Sequence, residues 1–192
     1  GLPKGVFTVL LGGKETVETI LDHPDIQAVG FVGSTPIART VYQRASHTGK
    51  RVLALGGAKN HIILLPDADP QLAAQGIRDS FTGCAGQRCM AGSVLLAVGE
   101  VDSILDRIEA LTKEVVPAQT MGALITKSQT EFLKEAIARA EKDGAKVRVD
   151  GRKWKATGEV GGGNWLGPTL LDRVKPGSEA ATQELFGPIL SV

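Results

Sequence analysis

The sequence predicts an α/β protein with a largely parallel sheet, and two patterns support this prediction. Short apolar runs of strand length alternate with longer stretches in which apolar residues recur at helical spacing. Glycine-containing turns separate the two kinds of segment, as at Gly12-Gly13 and Gly33-Ser34. Strands that alternate with helices favour crossover connections, in which neighbouring strands run parallel.

The first part of the chain is predicted to alternate between strand and helix. Pro36 fits the first turn of the second helix, where its missing N–H costs nothing. The character of the chain changes after the strand at 51–55, so we place a domain boundary there, with domains at residues 1–57 and 58–192. The elements predicted for the first domain are strands at 6–11, 26–32 and 51–55 and helices at 15–21 and 37–44.

The second part continues the alternation and contains a loop of small residues at 81–92. Its predicted elements are strands at 61–65, 93–98, 147–149 and 166–171 and helices at 69–80, 101–115 and 128–142. The chain opens without an initiator Met and stops inside a strand-like run at 189–192. We therefore expect these 192 residues to be a fragment of a longer protein.

Composition excludes several classes of function. The chain is 42% hydrophobic and 22% charged, which is typical of a globular protein with a sizeable core. The formal charge is +1 with acids and bases intermixed, so neither nucleic acid nor an anionic membrane is an expected partner. No apolar run approaches the roughly 18 residues that a membrane-spanning helix needs. The basic run at 152–155 is interpreted as a solvated loop.

The two cysteines, Cys84 and Cys89, are expected to be free thiols. They lie five positions apart with no histidine nearby, which makes a poor zinc site, so we predict no metal. A chain with two unpaired cysteines and no secretory signal favours a reducing compartment. We expect the cytoplasm, or the mitochondrial matrix if the source is eukaryotic.

Cys89 is the candidate nucleophile. It ends a glycine-rich turn and follows a cation, Arg88, and both features lower a thiol pKa and favour the reactive thiolate. On composition alone, both cysteines are better explained as small buried side chains, and Cys84 keeps this interpretation. However, Gly86-Gln87-Arg88-Cys89 resembles the active-site signature of the aldehyde dehydrogenase superfamily. The resemblance implies that Cys89 forms a covalent thiohemiacetal with the aldehyde, whereas Cys84 falls outside the motif.

A second motif, Phe31-Val32-Gly33-Ser34-Thr35, is predicted to lead from a strand into a helix. A helix N-terminus is a potential anion site because its free N–H groups and its dipole both favour a phosphate. By itself the pattern is more typical of an ordinary strand-to-helix turn. The resemblance implies that Gly33 and Ser34 contact the pyrophosphate of NAD, and that Gly56 also contacts the cofactor. The last glycine usual in this turn is Ala38 here.

A third motif, Glu184-Leu185-Phe186-Gly187-Pro188, is similar to the Glu-x-Phe-Gly-Pro of the same superfamily. The resemblance implies that Glu184 accepts hydrogen bonds from the nicotinamide ribose and that Phe186 packs near the nicotinamide. Without the other motifs, the segment would be an exposed acid beside a buried aromatic residue.

The order of the three motifs implies an aldehyde dehydrogenase-like fold. Residues 1–57 are then the C-terminal part of a Rossmann-like NAD-binding domain, and residues 58–192 most of the α/β catalytic domain. The superfamily's adenosine-binding Lys and oxyanion-binding Asn fall before residue 1, so the isolated fragment is expected to be inactive. The full-length protein is expected to be a homo-oligomer.

One position indicates which acceptor completes the reaction. Hydrolytic members of the superfamily usually carry a general-base Glu where this chain has Ala54, and no other acid occurs between Lys50 and Pro66. Together with Gly86 to Ala91, the string Gly57-Ala58-Lys59-Asn60-His61 resembles CoA-acylating methylmalonate-semialdehyde dehydrogenases, although Leu55-Gly56 departs from that group. The resemblance implies CoA as co-substrate and loss of CO₂. A hydrolytic enzyme and an inactive interaction module remain the alternatives.

Arg88 and His61 are the remaining candidates for chemistry. The guanidinium of Arg88 can bind a substrate carboxylate through paired charge-assisted hydrogen bonds, which fits malonate or methylmalonate semialdehyde. Its alternative roles are to lower the Cys89 pKa or to bond backbone carbonyls. His61 is interpreted as a packing residue at a strand edge, because nothing in the spacing directs it at Cys89.

Overall fold

In the computed structural model, which describes residues 1–155, 160 and 162–192, the chain divides into two units at residues 1–57 and 58–192. Both units are α/β, and every strand pair is parallel except one in the second unit. The predicted fold class is therefore confirmed. Among the described residues, no helix combines the length and the apolar character that crossing a membrane requires.

The first unit is a pair of parallel strands covered by two helices. Strand β1 pairs with β2 in the register Ala28↔Arg51, and helix α2 connects them. Leu21 of α1 packs with Val41 and Ala45 of α2 over this sheet. The elements are α1 (Lys14–Asp22), β1 (Ala28–Val32), α2 (Thr35–His47) and β2 (Arg51–Leu55).

The predicted strand at 6–11 is wrong. These residues form turns and extended coil, and their apolar side chains are exposed, with Phe7 at 75% and Leu11 at 93%. A strand needs a neighbour for its backbone hydrogen bonds, and in this unit β1 and β2 pair with each other alone among the described residues. The apolar composition predicted burial in a sheet, but among the described residues no strand lies beside this segment to pair with it.

The second unit is built on a five-stranded sheet in the order β3-β4-β7-β6-β5. Strand β7 therefore lies between β4 and β6, although it is the last strand in sequence. Among the strand pairs of the described residues, the β5–β6 pair alone is antiparallel. The elements are β3 (Asn60–Leu64), α3 (Pro70–Thr82), β4 (Gly92–Ala97), α4 (Asp102–Lys113), α5 (Lys127–Lys142), β5 (Lys146–Val149), β6 (Thr169–Asp172), α6 (Glu179–Thr182) and β7 (Ile189–Ser191).

Most predicted elements of this unit are confirmed, with shifted ends. Side chains of Asp69 and Thr126 cap α3 and α5 by accepting the backbone N–H of Leu72 and Gln129. Helix α3 extends into the predicted loop as far as Thr82, and the short helix α6 was not predicted. Strand β6 begins at Thr169, after a proline that cannot donate to the ladder.

Helices cover both faces of this sheet. Leu170 and Leu190 belong to a core cluster with α3 and α4, whereas their neighbours Leu171 and Ile189 belong to a second cluster with α5. Consecutive strand residues point to opposite faces, so the central strands are buried on both sides. Near-continuous apolar runs in β6 and β7 follow from this placement.

We expect Leu133→Ala to lower the free energy of unfolding by about 2 to 5 kcal/mol, because the truncation leaves a cavity in the core below α5. Leu133 is fully buried, and its Cδ1 lies 2.3 Å from where a Cβ on Gly187 would stand. Urea titration measures the change. Leu72→Ala is the matched control, since Leu72 is 72% exposed and its truncation should change stability little. Equal losses in the two variants would contradict the packing assigned to Leu133.

Candidate active site

Three chain segments meet at one edge of the second sheet. Strands β3, β4 and β7 are parallel neighbours, so the segments that enter them lie side by side. Asn60 begins β3, Cys89 precedes β4, and Glu184 precedes β7. A pocket at this edge is lined by these three residues together with Arg88 and Phe186. The structure therefore brings together four residues that the sequence singled out, and adds Asn60.

The loop before Cys89 has an unusual backbone. Cys84, Ala85 and Gly86 all have positive φ values, of 51°, 53° and 69°. Residues with a Cβ adopt this region at a cost and need neighbours to hold them there. Two side-chain hydrogen bonds from Gln87 help to hold the loop in this conformation. Gln87 Nε2 donates to the carbonyls of Cys84 (3.1 Å) and Ala123 (3.2 Å).

Gly86 lets the cysteine loop touch the loop that contains Glu184. A Cβ on Gly86 would stand 2.1 Å from the carbonyl oxygen of Gly187, which no side chain tolerates. The positive φ of Gly86 independently favours glycine. The glycine of the Cys89 motif is therefore required by contact with the third motif.

Cys89 lies at the exposed end of this loop. Both cysteines of the chain are free, as the sequence predicted, and both are exposed, so the interpretation of Cys84 as a small buried side chain is wrong. The backbone around Cys89 is bound by Asn60, whose Nδ2 donates to the carbonyls of Cys89 (2.7 Å) and Ala91 (3.1 Å). The Gly92 N–H donates to Ser80 Oγ at 2.8 Å. The nucleophile candidate is thus an accessible thiol on a hydrogen-bonded backbone.

Arg88 is bound to the end of helix α3. Its Nη2 donates to the carbonyl oxygens of Asp79 and Ser80, both at 2.9 Å. Gly83 makes room for the guanidinium, since a Cβ there would stand 2.3 Å from Nη2. These hydrogen bonds match one alternative given from the sequence, in which Arg88 donates to backbone carbonyls. A guanidinium has five N–H donors, so the proposed contact with a substrate carboxylate stays a prediction.

The segment that contains the third motif lines the pocket over consecutive residues. Glu184, Leu185 and Phe186 all line it, and Leu185 is in addition buried in the core. Phe186 has a φ of 58°, and Gln129 Nε2 donates to the carbonyls of Leu185 (2.7 Å) and Phe186 (3.3 Å). The strained backbone at Phe186 is therefore held by the first turn of α5.

Lys59 precedes Asn60 and is electrostatically coupled to this site. Burial lowers the pKa of Lys59 to about 8, because the charged form loses solvation, and the nearby Glu184 carboxylate opposes this by raising the pKa. A lysine that changes charge near neutral pH is uncommon. Sequence analysis did not single out Lys59, since burial of an ammonium has no local sequence signal.

Gly33, Ser34 and Gly56 come together in the first unit. Ser34 is the N-cap of α2 but its side chain caps no N–H, and the turn is exposed. A Cβ on Gly56 would stand 2.7 Å from Thr35 Oγ1, and the Gly57 N–H donates to the same oxygen at 3.1 Å. Gly56 is thus required by packing against α2, and its cofactor contact stays a prediction.

The helix N-terminus beside Ser34 fits a phosphate. The first N–H groups of a helix have no partner within it, and the dipole places partial positive charge there. Ala38, the position at which the superfamily usually has glycine, is only 6% exposed and packs in the core of this unit. Its methyl group is therefore no obstacle to a ligand at the exposed turn.

Two other expectations concern histidine and metal. His61 lies on the edge strand β3, as interpreted from the sequence, but it is exposed, so its interpretation as a packing residue is wrong. Its Nδ1 is 2.9 Å from the Lys59 carbonyl oxygen. It does not line the pocket around Cys89. In the part of the chain that the structure describes, no three His, Cys, Asp or Glu side chains gather in a way that could hold a metal ion.

Comparison with known proteins decides the family. The sequence profile of the "Aldehyde dehydrogenase family" matches residues 1–192. The chain belongs to the aldehyde dehydrogenase family. The resemblance drawn from the three motifs is thereby confirmed, and the α/β fold is that of family members whose structures are solved.

Several family members are similar over the whole chain. "Malonate-semialdehyde dehydrogenase 2" of Geobacillus thermodenitrificans is 43% identical, over 100% of this chain and 41% of its own length. The methylmalonate-semialdehyde dehydrogenase of Oceanimonas doudoroffii superposes with a TM-score of 0.93 at 40% identity, covering 100% of this chain and 41% of that one. A putative methylmalonate-semialdehyde dehydrogenase of Sinorhizobium meliloti, solved in complex with NAD, gives 0.93 at 42% identity, with 100% and 40% covered. The chain spans about two fifths of the length of these relatives.

We expect Lys59 to make stability rise with pH. Its folded-state pKa of about 8 lies below the ordinary 10.5, so between these values the unfolded chain binds more protons and alkali favours the folded state. Lys59→Met should therefore be more stable than the parent at pH 7, by on the order of 1 kcal/mol after solvent screening. The gap should close between pH 8 and 10.5.

Denaturant titrations at several pH values measure this difference. Lys175→Met, which removes an exposed lysine of the same unit, controls for the change in net charge. Parallel stability profiles for the parent and Lys59→Met across this range would contradict the lowered pKa.

Proposed function

We propose that the protein containing this chain is an NAD-dependent aldehyde dehydrogenase that oxidises malonate or methylmalonate semialdehyde and transfers the acyl group to CoA. The observation that carries this proposal is the exposed Cys89 thiol on a hydrogen-bonded loop, beside a pocket that Glu184 and Phe186 also line. Relatives 40 to 43% identical to this chain are named malonate- and methylmalonate-semialdehyde dehydrogenases, which supports the substrate class.

The residues present fit NAD. Gly33 and Ser34, with Gly56, would hold the pyrophosphate at the N-terminus of α2. Glu184 offers carboxylate acceptors for ribose hydroxyls, and Phe186, which is 39% exposed, offers an aromatic face. When bound, NAD supplies an acceptor for the hydride that leaves the substrate carbon. A similar structure solved in complex with NAD supports this choice of cofactor.

Cys89 carries the covalent chemistry in this proposal. Its thiolate attacks the aldehyde carbon and forms a thiohemiacetal, and after oxidation of that carbon the acyl group remains on Sγ as a thioester. Such catalysis splits one difficult step into two easier ones. The accessible thiol and the fixed backbone of Cys89 suit a reaction in which the attacking atom must be aimed.

The acceptor for the acyl group is proposed to be CoA. Activation of water needs a general base, and loss of such a base costs on the order of 10² to 10⁴ in rate. The position of the usual Glu is Ala54, and the sequence from Lys50 to Pro66 contains no acid. The thiolate of CoA needs no such activation to attack a thioester. For a malonate-type substrate, the acyl group loses CO₂ before this transfer.

We expect the full-length enzyme to give a burst of NADH without CoA and then to stall at the acyl-enzyme, because no carboxylate activates water. Adding CoA should restore steady turnover and yield an acyl-CoA, detected by mass spectrometry. Cys89→Ser is the control and should give neither burst nor turnover, whereas Cys84→Ser should retain both.

Each other result removes part of this proposal. Rapid turnover to a free acid without CoA would contradict CoA transfer and favour the hydrolytic alternative. NADH production by Cys89→Ser would contradict the nucleophile, and a wild-type protein inactive on every aldehyde would favour an interaction module.

We expect Arg88→Leu to raise KM for malonate semialdehyde roughly 10- to 100-fold more than KM for propanal, since losing a charged hydrogen-bond partner costs about 1.5 to 3 kcal/mol. Propanal is the built-in control because it lacks the carboxylate. Steady-state kinetics on both aldehydes with CoA present measures the ratio. An equal rise in KM for both substrates would contradict the carboxylate contact and would leave Arg88 with a structural role through its hydrogen bonds to Asp79 and Ser80.

A further inference from the structure

The amide nitrogen of Asn60 donates hydrogen bonds to the backbone around Cys89, the candidate nucleophile. Nδ2 donates to the carbonyl oxygens of Cys89 at 2.7 Å and of Ala91 at 3.1 Å. Both partners accept hydrogen bonds, so the nitrogen and not the oxygen of the amide faces the loop. The side chain thus bridges the first residue of β3 and the loop that leads into β4.

Irregular pairing of β3 and β4 occurs where Asn60 bridges them. Asn60 pairs with Gly92 and the next residue, His61, pairs with Val94, so β4 contributes one extra residue, Ser93. Such bulges redirect side chains and recur beside active sites. Here the irregularity coincides with the residue that reaches the Cys89 loop.

Among the described residues, side-chain packing holds the loop only at its end. Met90 is 91% exposed and Cys89 is also exposed, so the packing of these two side chains does not fix the loop. Ala91 is 8% exposed, and its buried methyl group holds the end of the loop but not the Cys89 carbonyl. The neighbouring backbone bonds, from Ala91 N–H to the Arg88 carbonyl and from Gly92 N–H to Ser80 Oγ, leave the Cys89 carbonyl to Asn60.

The Cys89 carbonyl belongs to the peptide that joins Cys89 to Met90. A bond to this oxygen opposes rotation about ψ of Cys89, which moves the backbone from which the Sγ atom projects. An error of about 1 Å in the placement of a reacting group can cost 10²-fold in rate. A neutral amide can set this geometry without adding charge near the thiol.

Resting on the proposed function, we infer that Asn60 is a positioning residue that aims the Cys89 thiol through the main chain. It touches neither substrate nor cofactor in this role. Its removal should therefore lower kcat and leave KM nearly unchanged.

Asn60→Asp in the full-length enzyme is the decisive variant, because aspartate has the same shape but offers no donor to the two carbonyls at neutral pH. We expect kcat to fall 10- to 100-fold with KM within twofold. Asn60→Ala should show the same loss, and because it adds no charge near the thiol it separates positioning from repulsion by the Asp carboxylate. Asn164→Asp is the matched control, because Asn164 Nδ2 also donates to two carbonyls, those of Leu124 (3.4 Å) and Ile125 (3.3 Å), in a different loop.

A second measurement needs no dehydrogenase activity. Iodoacetamide alkylation, followed by mass spectrometry of the peptides, gives the rate for Cys89 relative to Cys84 in the same chain. Because release of the loop changes how often the Cys89 thiol is accessible in the pocket, we expect this ratio to change at least fivefold in Asn60→Ala, which adds no charge near the thiol.

Two results would overturn the inference. One is a kcat of the Asn60 variants within threefold of wild type, together with an unchanged alkylation ratio in Asn60→Ala. The other is an equal loss of kcat in Asn164→Asp, with rates expressed per folded chain from near-ultraviolet circular dichroism. If wild type forms no NADH from any aldehyde, the proposed function fails by itself, and the alkylation ratio still decides the role of Asn60.

Discussion

The contact between Gly86 and the Gly187 carbonyl is the constraint on which the candidate site depends. A Cβ at Gly86 would lie 2.1 Å from that oxygen, so two loops about a hundred residues apart in sequence touch only because this position has no side chain. The contact is allowed by the placement of β7 beside β4, which aligns the segments that enter both strands. Cys89 and Glu184 consequently face one pocket.

Three amide side chains hold the loops around this contact. Gln87 binds the cysteine loop to residues 123 and 125, Gln129 binds the carbonyls of Leu185 and Phe186, and Asn60 binds those of Cys89 and Ala91. Amides carry both donors and acceptors without charge, so they bind the partly exposed carbonyls of these loops at low desolvation cost. Because none of the three titrates, the shape of the loops does not change with pH through these bonds.

The sequence predicted what depends on local pattern. Helices α3 and α5 were predicted from apolar residues at helical spacing and the family from three short motifs, whereas the caps Asp69 and Thr126 were found only in the structure. The order of the strands was not predictable in this way, because β7 pairs with strands far away in sequence. The error at residues 6–11 has the same cause, since a strand is defined by its neighbour as much as by its own residues.

The candidate site residues show the same contrast between local sequence pattern and contacts that join distant parts of the chain. Cys89, Glu184 and Gly33 were found because each belongs to a motif of adjacent residues. Asn60 was quoted only as part of a string, because its bonds to the Cys89 loop join positions 29 and 31 residues apart. For Arg88 the sequence left substrate and backbone roles open, and the bonds to Asp79 and Ser80 arise from the end of α3, which local pattern does not reveal.

The central position of β7 also affects how the protein is made. Ribosomes add roughly 5 to 20 residues per second, so about 5 to 20 s separate the synthesis of Cys89 from that of Glu184. For most of this interval β6 has not been made either, and until β7 follows, β4 has no partner on the side that β7 later occupies. The nascent sheet therefore keeps an unpaired strand edge beside the exposed Cys89 loop, which favours misassembly and chaperone binding at this stage of synthesis.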